Sequence, residues 1–194
     1  FDTGNFVLSD AYISVIEALK HAAYASDRKP ILTWINSKDF ETGAKDVSML
    51  KDFDGILVPG GFGESGIEGK IKAIEFARVN KIPYFGLCYG MQLATIEYAR
   101  NVVGWKDANT TEIDKETLHP VIDIMPEQKK HIEEGKYGAT MRLGAYPCVL
   151  QGGTLAHKAY FTVSLTNPPV SQTVSERHRH RYEVNPEFIP ELQK

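Results

Sequence analysis

Ile82-Pro83-Tyr84-Phe85-Gly86-Leu87-Cys88-Tyr89-Gly90-Met91 sets the fold. An apolar run (Ile82, Tyr84, Phe85) ends in a cysteine framed by two glycines, and a helical pattern follows at Met91, Ala94, Thr95, Tyr98 and Val102. A nucleophile between small residues, with a strand before it and a helix after it, spells a nucleophile elbow. The turn is tight enough that side chains at Gly86 or Gly90 would crowd the strand and the helix. It lifts the thiol to a helix N-terminus, where unpaired N–H groups and the helix dipole favour thiolate. A lone free cysteine is more often a small buried hydrophobe. The glycine frame, the strand and the helix favour a nucleophile at Cys88.

Working outward, Gly55-Ile56-Leu57-Val58 is short and wholly apolar, as strands buried on both faces of a parallel sheet are. It runs into Pro59-Gly60-Gly61-Phe62-Gly63. Ile67, Ile71, Ile74 and Ala77 mark a helix, and Ile82 to Gly86 the next strand. Further upstream, Asp10 is placed as N-cap of a helix with Tyr12, Val15, Ile16, Leu19 and Ala23 on one face. Pro30 to Ile35 reads as a strand, with weak helical character around Val47 to Leu50. This alternation predicts an α/β fold with a doubly wound, mostly parallel sheet. Past Val103 the rhythm loosens, with short strands at Val121 to Met125 and Cys148 to Leu150. Glu127 to Lys136 mixes both charge signs and reads as a solvated excursion, and residues 161 to 174, rich in Ser, Thr and Pro, as a loop.

The 194 residues suit one domain, taken as residues 1–194, and 42% hydrophobic content suffices for a core. With 22 basic against 25 acidic side chains, a net charge of -3 offers no basic field for nucleic acid. No apolar run is long enough for a membrane span, and residues 1–10 lack the pattern of a signal peptide. Cys88 and Cys148 have no CxxC spacing, so free thiols in a reducing cytoplasm are expected. Cys148, without a glycine frame, reads as structural.

In open α/β sheets, sites collect at the carboxyl ends of the strands. Both the Gly60-Gly61 turn and the Cys88 turn leave strands at that edge. If those strands are neighbours, the Gly60-Gly61 backbone faces Cys88 with no side chain between. Acyl transfer needs two N–H donors aimed at the developing oxyanion. The Tyr89 amide is the natural first donor and Gly61 the candidate second. A Pro-Gly-Gly turn is equally well a plain tight connection. A phosphate cradle is the weaker reading, since no Lys-Ser/Thr follows. In Arg177-His178-Arg179-His180-Arg181 the His-x-His pair lacks nearby ligands to complete a metal site, and none is expected. The short basic run also fits phosphate contacts. On a strand it would put arginines on one face and histidines on the other.

Several stretches together resemble the class I glutamine amidotransferase domain of CTP synthase. They are Pro59-Gly60-Gly61-Phe62-Gly63, Gly86-Leu87-Cys88-Tyr89-Gly90-Met91-Gln92, and Glu176-Arg177-His178-Arg179-His180-Arg181-Tyr182-Glu183-Val184-Asn185. Asp10-Ala11-Tyr12-Ile13-Ser14-Val15, Asn109-Thr110-Thr111-Glu112 and Thr140-Met141-Arg142-Leu143-Gly144 add to them. The resemblance implies a flavodoxin-like fold and glutamine hydrolysis through a thioester on Cys88. Ammonia would pass to a separate synthase domain that aminates UTP to CTP with ATP and magnesium. It further implies that Gly61, Tyr89, Gly90, Met91, Gln92, Glu112 and Arg181 hold glutamine, Glu112 facing its ammonium and Arg181 its carboxylate. GTP would act as allosteric activator near a lid that includes the Met-Arg-Leu-Gly segment. The domain itself would need no cofactor, and the full-length enzyme would be a homotetramer.

The chain also departs from the family pattern. The family's base and its carboxylate lie in a His-Pro-Glu-Phe segment, whereas this chain has Asn185-Pro186-Glu187-Phe188, whose asparagine takes no proton. That stretch directly continues the Arg-Tyr-Glu-Val run, so the expectation is a domain truncated at both ends and a poor glutaminase as it stands. Tyr89 stands where leucine is common, with a side chain expected to narrow the glutamine pocket. Two other functions stay open at this point: a cysteine hydrolase of the same superfamily, and a non-catalytic regulatory or interaction module of the same fold.

Overall fold

The computed structural model describes residues 11–125, 144–161 and 172–194. In chain order its elements begin with α1 (Ile13–Ala25), α2 (Ser37–Thr42), a 3-10 turn over Val47–Asp52 and β1 (Ile56–Val58). There follow α3 (Ile67–Asn80), β2 (Tyr84–Gly86), α4 (Tyr89–Tyr98) and a π-helical turn over Ala99–Val103. Then come β3 (Asn109–Thr110), β4 (Pro120–Ile124), β5 (Gly144–Val149), α5 (Leu155–Phe161) and β6 (Thr173–His178). The chain closes with β7 (Tyr182–Val184), a 3-10 turn over Pro186–Phe188 and α6 (Ile189–Leu192). Two units are distinguished: Phe1–Asp123 with Tyr182–Lys194, and Ile124–Arg181.

In the first unit the apolar run at 56–58 pairs in parallel with β2, Ile56 opposite Tyr84 and Val58 opposite Gly86. Parallel strands need a crossover, and α3 supplies it. Its expected face is the observed one: Ile67, Ile71, Ile74 and Ala77 are all buried. The three isoleucines pack in one core with Val58, Tyr89, Leu93, Ile96, Val121 and Ile122. Burying a side chain such as Leu93 or Ile96 is worth about 1.5–3 kcal/mol. A second sheet runs β3-β4-β7, with β3 and β4 parallel. A smaller cluster of Phe40, Leu50 and Ala73, with Ile35 and Phe53 against it, closes the α2 side.

Three expectations are corrected here. Residues 30–35 form no strand: no strand among the described residues pairs with them, and Ile31, Leu32 and Trp34 are exposed. Helix α1 is preceded by Tyr12 without a side-chain cap, while Asp10 lies outside the described residues. Helix α4 buries Gln92, Leu93, Ile96 and Glu97 rather than the face of Met91, Thr95 and Tyr98. Its two buried polar residues are paid for by partners: the Gln92 amide donates to the Tyr182 carbonyl at 2.8 Å, and Glu97 accepts from Arg78 at 2.7–3.1 Å. The loop expected over 161–174 is cut at both ends, Phe161 closing α5 and residues 173–174 opening β6.

In the second unit β5 and β6 are antiparallel, from Gly144 opposite His178 to Val149 opposite Thr173. Cys148, expected to be structural, is an exposed free thiol on β5. The stretches 127–136 and 140–143, with the expected surface excursion and most of the lid segment, lie outside the described residues. No helix among the described residues is long and apolar enough to cross a membrane.

Candidate active site

Cys88 occupies the corner between β2 and α4 with φ 50° and ψ -102°. Backbone of this kind costs a non-glycine residue about 1–3 kcal/mol and persists only where its surroundings hold it. Here they do. Leu87 N–H donates to the Val58 carbonyl at 2.9 Å, Gly90 N–H to Leu87 at 2.9 Å and Gln92 N–H to Cys88 at 3.1 Å. The Tyr84 hydroxyl donates to the Gly90 carbonyl at 2.7 Å. A Cβ at Gly86 would stand 2.5 Å from the Gly90 carbonyl carbon, and one at Gly90 would collide with the Val58 carbonyl. Both framing glycines are therefore required, as the sequence indicated.

Because β1 and β2 are neighbours, the loop after β1 meets this corner. A Cβ on Gly60 would lie 3.6 Å from the Cys88 Cβ, and one on Gly61 3.5 Å from Tyr89 Cδ1. Side-chain hydroxyls fix the loop's carbonyls. Tyr12 donates to the Gly60 carbonyl at 3.0 Å, and Tyr89 to the Gly63 carbonyl at 2.7 Å. The Gly63 N–H is 3.4 Å from Glu112 Oε1. Glu112 itself is placed by β3: its N–H donates to Thr110 Oγ1 at 3.2 Å, and Thr110 is fully buried. Cys88, Gly60, Gly61, Gly63, Tyr89 and Glu112 are thus brought together in one unit.

Electrostatics around the thiol differ from the sequence-based expectation. Burial pushes the Cys88 thiol above its usual value; the Tyr89 N–H opposes this, and the nearby Glu112 carboxylate adds to it. Cys88 still carries exposed surface, so the crowding is partial. The helix N-terminus alone does not offset that desolvation. The Glu112 carboxylate beside the Cys88 thiol suits a cationic ligand group.

Of the other named residues, Gly90 is buried at the elbow and Met91 is 40% exposed. Gln92 is buried and spends its amide N–H on β7. Arg181 belongs to the second unit, where its carbonyl accepts from the Met125 amide at 2.8 Å. The Tyr89 ring does not stand out into a pocket: it is 2% exposed, packed against Gly61. His178 Nδ1 and His180 Nε2 approach to 3.2 Å, and Tyr146 stacks on His178 at 5.3 Å. No group of three or more metal-ligating side chains occurs among the described residues. Asn185 caps the turn that follows it, accepting from the Glu187 N–H, and donates to the Pro120 carbonyl at 3.1 Å. Its role is structural. The tyrosine braces were not singled out from sequence. The available signal was Tyr12 on an otherwise apolar face, since a buried phenol needs a partner.

Residues 7–193 match the family model described as glutamine amidotransferase class-I. The chain belongs to the class-I glutamine amidotransferase family. CTP synthase of Sulfurisphaera tokodaii is 50% identical over 187 residues, covering 96% of this chain and 33% of that protein. CTP synthase of Geobacillus kaustophilus is 50% identical over 192 residues, covering 98% of this chain and 34% of that protein. The chain thus spans about a third of the length of the curated CTP synthases it matches. Among solved structures, the glutaminase domain of Trypanosoma brucei CTPS with bound acivicin superposes with a TM-score of 0.80 at 39% identity. That match covers 99% of this chain and 67% of the other. The class I amidotransferase fold expected from the elbow and its flanking motifs is therefore the fold of this chain.

Proposed function

We propose that this chain is the glutamine-hydrolysing part of a CTP synthase, with Cys88 as nucleophile. The observation that carries this reading is the meeting of Cys88 with the Gly60-Gly61 turn and with Glu112 tied to Gly63. The Cys88 sulfur forms a C–S bond to the glutamine side-chain carbonyl, and the oxyanion is received by the Tyr89 and Gly61 N–H groups. Collapse breaks the C–N bond, and the nitrogen leaves as ammonia carrying the proton given up by the thiol. Water then cleaves the thioester, releasing glutamate and restoring the thiol. Glu112 receives the substrate ammonium and Arg181 its carboxylate. The family resemblance assigns the proton relay to a His-Pro-Glu-Phe segment with no counterpart in these 194 residues.

Ammonia passes to a synthase domain that aminates UTP with ATP and magnesium, GTP activates the glutaminase step, and the full-length enzyme is a homotetramer. The synthase partner is supported by the CTP synthases, in which this chain matches about a third of the length. A reducing cytoplasm is the compartment that suits Cys88 and Cys148, which have no CxxC spacing.

Acivicin, which the Trypanosoma brucei domain binds, supplies the test. Peptide mapping after treatment should find one adduct, on Cys88, whose formation glutamine slows. No adduct in a folded sample would point to a non-catalytic module. An adduct indifferent to glutamine, to Glu112→Ala and to Arg181→Ala would point to another kind of cysteine hydrolase.

A further inference from the structure

Tyr89 follows the nucleophile directly, and its two ends reach both sides of the site. Its backbone N–H lies at the Cys88 thiol and holds the thiol's proton affinity down. Its hydroxyl crosses to the facing loop and donates to the Gly63 carbonyl at 2.7 Å. Between those ends the ring packs against Gly61, so that a Cβ there would stand 3.5 Å from Cδ1. The Lys70 ammonium lies 5.7 Å from the ring centroid and donates to the Ser65 carbonyl at 3.1 Å, closing the far side of the same loop. The ring is 2% exposed, so its hydroxyl has no exchange with bulk water to fall back on. Gly63 is held twice, its C=O by Tyr89 and its N–H by Glu112.

We propose that the Tyr89 side chain is a positioning residue. By anchoring Gly63 it fixes the spacing between the Gly61 and Tyr89 amides and the set of Glu112, and so the fit of the glutamine side chain over Cys88. This rests on the glutaminase reading given above. Gly61 has no side chain through which the loop might be held, so the ring behind it and the carbonyl two residues on act as handles beside the Tyr12 bond to the Gly60 carbonyl. A leucine at 89 would fill part of the same volume and leave the Gly63 carbonyl without this donor.

Tyr89→Phe removes one oxygen and keeps the ring against Gly61, so the fold is retained. Three readouts are compared with the parent chain: amide hydrogen exchange at residues 60–64, the rate of Cys88 modification by acivicin, and its rate with iodoacetamide. Iodoacetamide needs only the thiol. The expected result is exchange at 60–64 faster by about tenfold, acivicin modification slower by about tenfold, and iodoacetamide within about twofold, the scale of one lost buried hydrogen bond. Unchanged exchange would overturn the brace. Faster exchange with unchanged acivicin modification would show a structural brace only, and a parallel fall with both reagents would place the effect on the thiol; either overturns the positioning role. Acivicin modification of the parent chain that glutamine fails to slow would refute the glutaminase reading. The exchange measurement would then still decide whether the hydroxyl holds the loop.

Discussion

Replacing Glu112 by glutamine should drive two reactions of the same thiol in opposite directions. The substitution keeps size and an acceptor oxygen, so the contact with the Gly63 N–H, already long at 3.4 Å, survives and the loop stays in place. What changes is charge. Burial is the main cause of the raised Cys88 thiol value, and the Glu112 carboxylate adds to it by repelling the thiolate. Neutralising residue 112 removes that contribution, so thiolate forms at lower pH and iodoacetamide modification at neutral pH becomes faster. A glutamine-like reagent experiences the opposite effect. Its ammonium loses an ionised acceptor, and a hydrogen bond to a charged group is worth about 1.5–3 kcal/mol, so modification by acivicin should slow by roughly 10- to 150-fold. The assay is the pH profile of both rates, with intact mass as the readout. In the parent chain the iodoacetamide rate should still be rising through the ordinary thiol range, and in Glu112→Gln the profile should move to lower pH. An unmoved iodoacetamide profile would refute the proximity of Glu112 charge to Cys88. An acivicin rate unchanged by the substitution would refute its role towards the ammonium.

Two further substitutions test how the site is held. Gly90→Ala drives a methyl into the Val58 carbonyl with backbone on both sides; overpacking of about 1–3 kcal/mol should lower the thermal midpoint by roughly 2–12 °C, and an unchanged midpoint would contradict the close approach of α4 to β1. Arg78→Ala strands Glu97, whose side chain is 1% exposed and keeps only the Asn101 amide at 3.1 Å among the partners seen here. With Arg78 itself 35% exposed, the loss should be about 2–3 kcal/mol in chemical denaturation, below that of a fully buried pair, whereas Arg78→Met with Glu97→Met should recover most of it.

What could be read from sequence, and what could not, follows one physical division. Positions 67, 71, 74 and 77 repeat at helical spacing and are uniformly apolar, so their burial was plain. The elbow was equally plain, because the missing side chains at Gly86 and Gly90 mark where backbone must approach backbone, whereas the Gly60-Gly61 turn reads equally well as a tight connection. Helix α4 misled because its buried face includes Gln92 and Glu97, whose polarity is offset by partners 90 and 19 residues away. Its Met91, Ala94, Thr95 and Tyr98 side instead lines a groove with Val184, Ile189 and Leu192. Residues 30–35 have strand composition, but pairing is a property of the neighbour as much as of the segment. The thiol's environment was misread for a related reason: local position supplies the helix end, while desolvation depends on everything packed around it.

The loop that faces Cys88 presents main-chain groups at Gly60, Gly61 and Gly63, and it is steered from behind by phenols at 12 and 89. Truncation scanning would therefore pass over the groups nearest the chemistry, since there is nothing at those positions to truncate. It would report instead on side chains, those of Tyr12 and Tyr89, that hold the loop from behind. Selectivity in such a site evolves one layer back, by exchanging the residues that hold the backbone and leaving the backbone's own chemistry untouched.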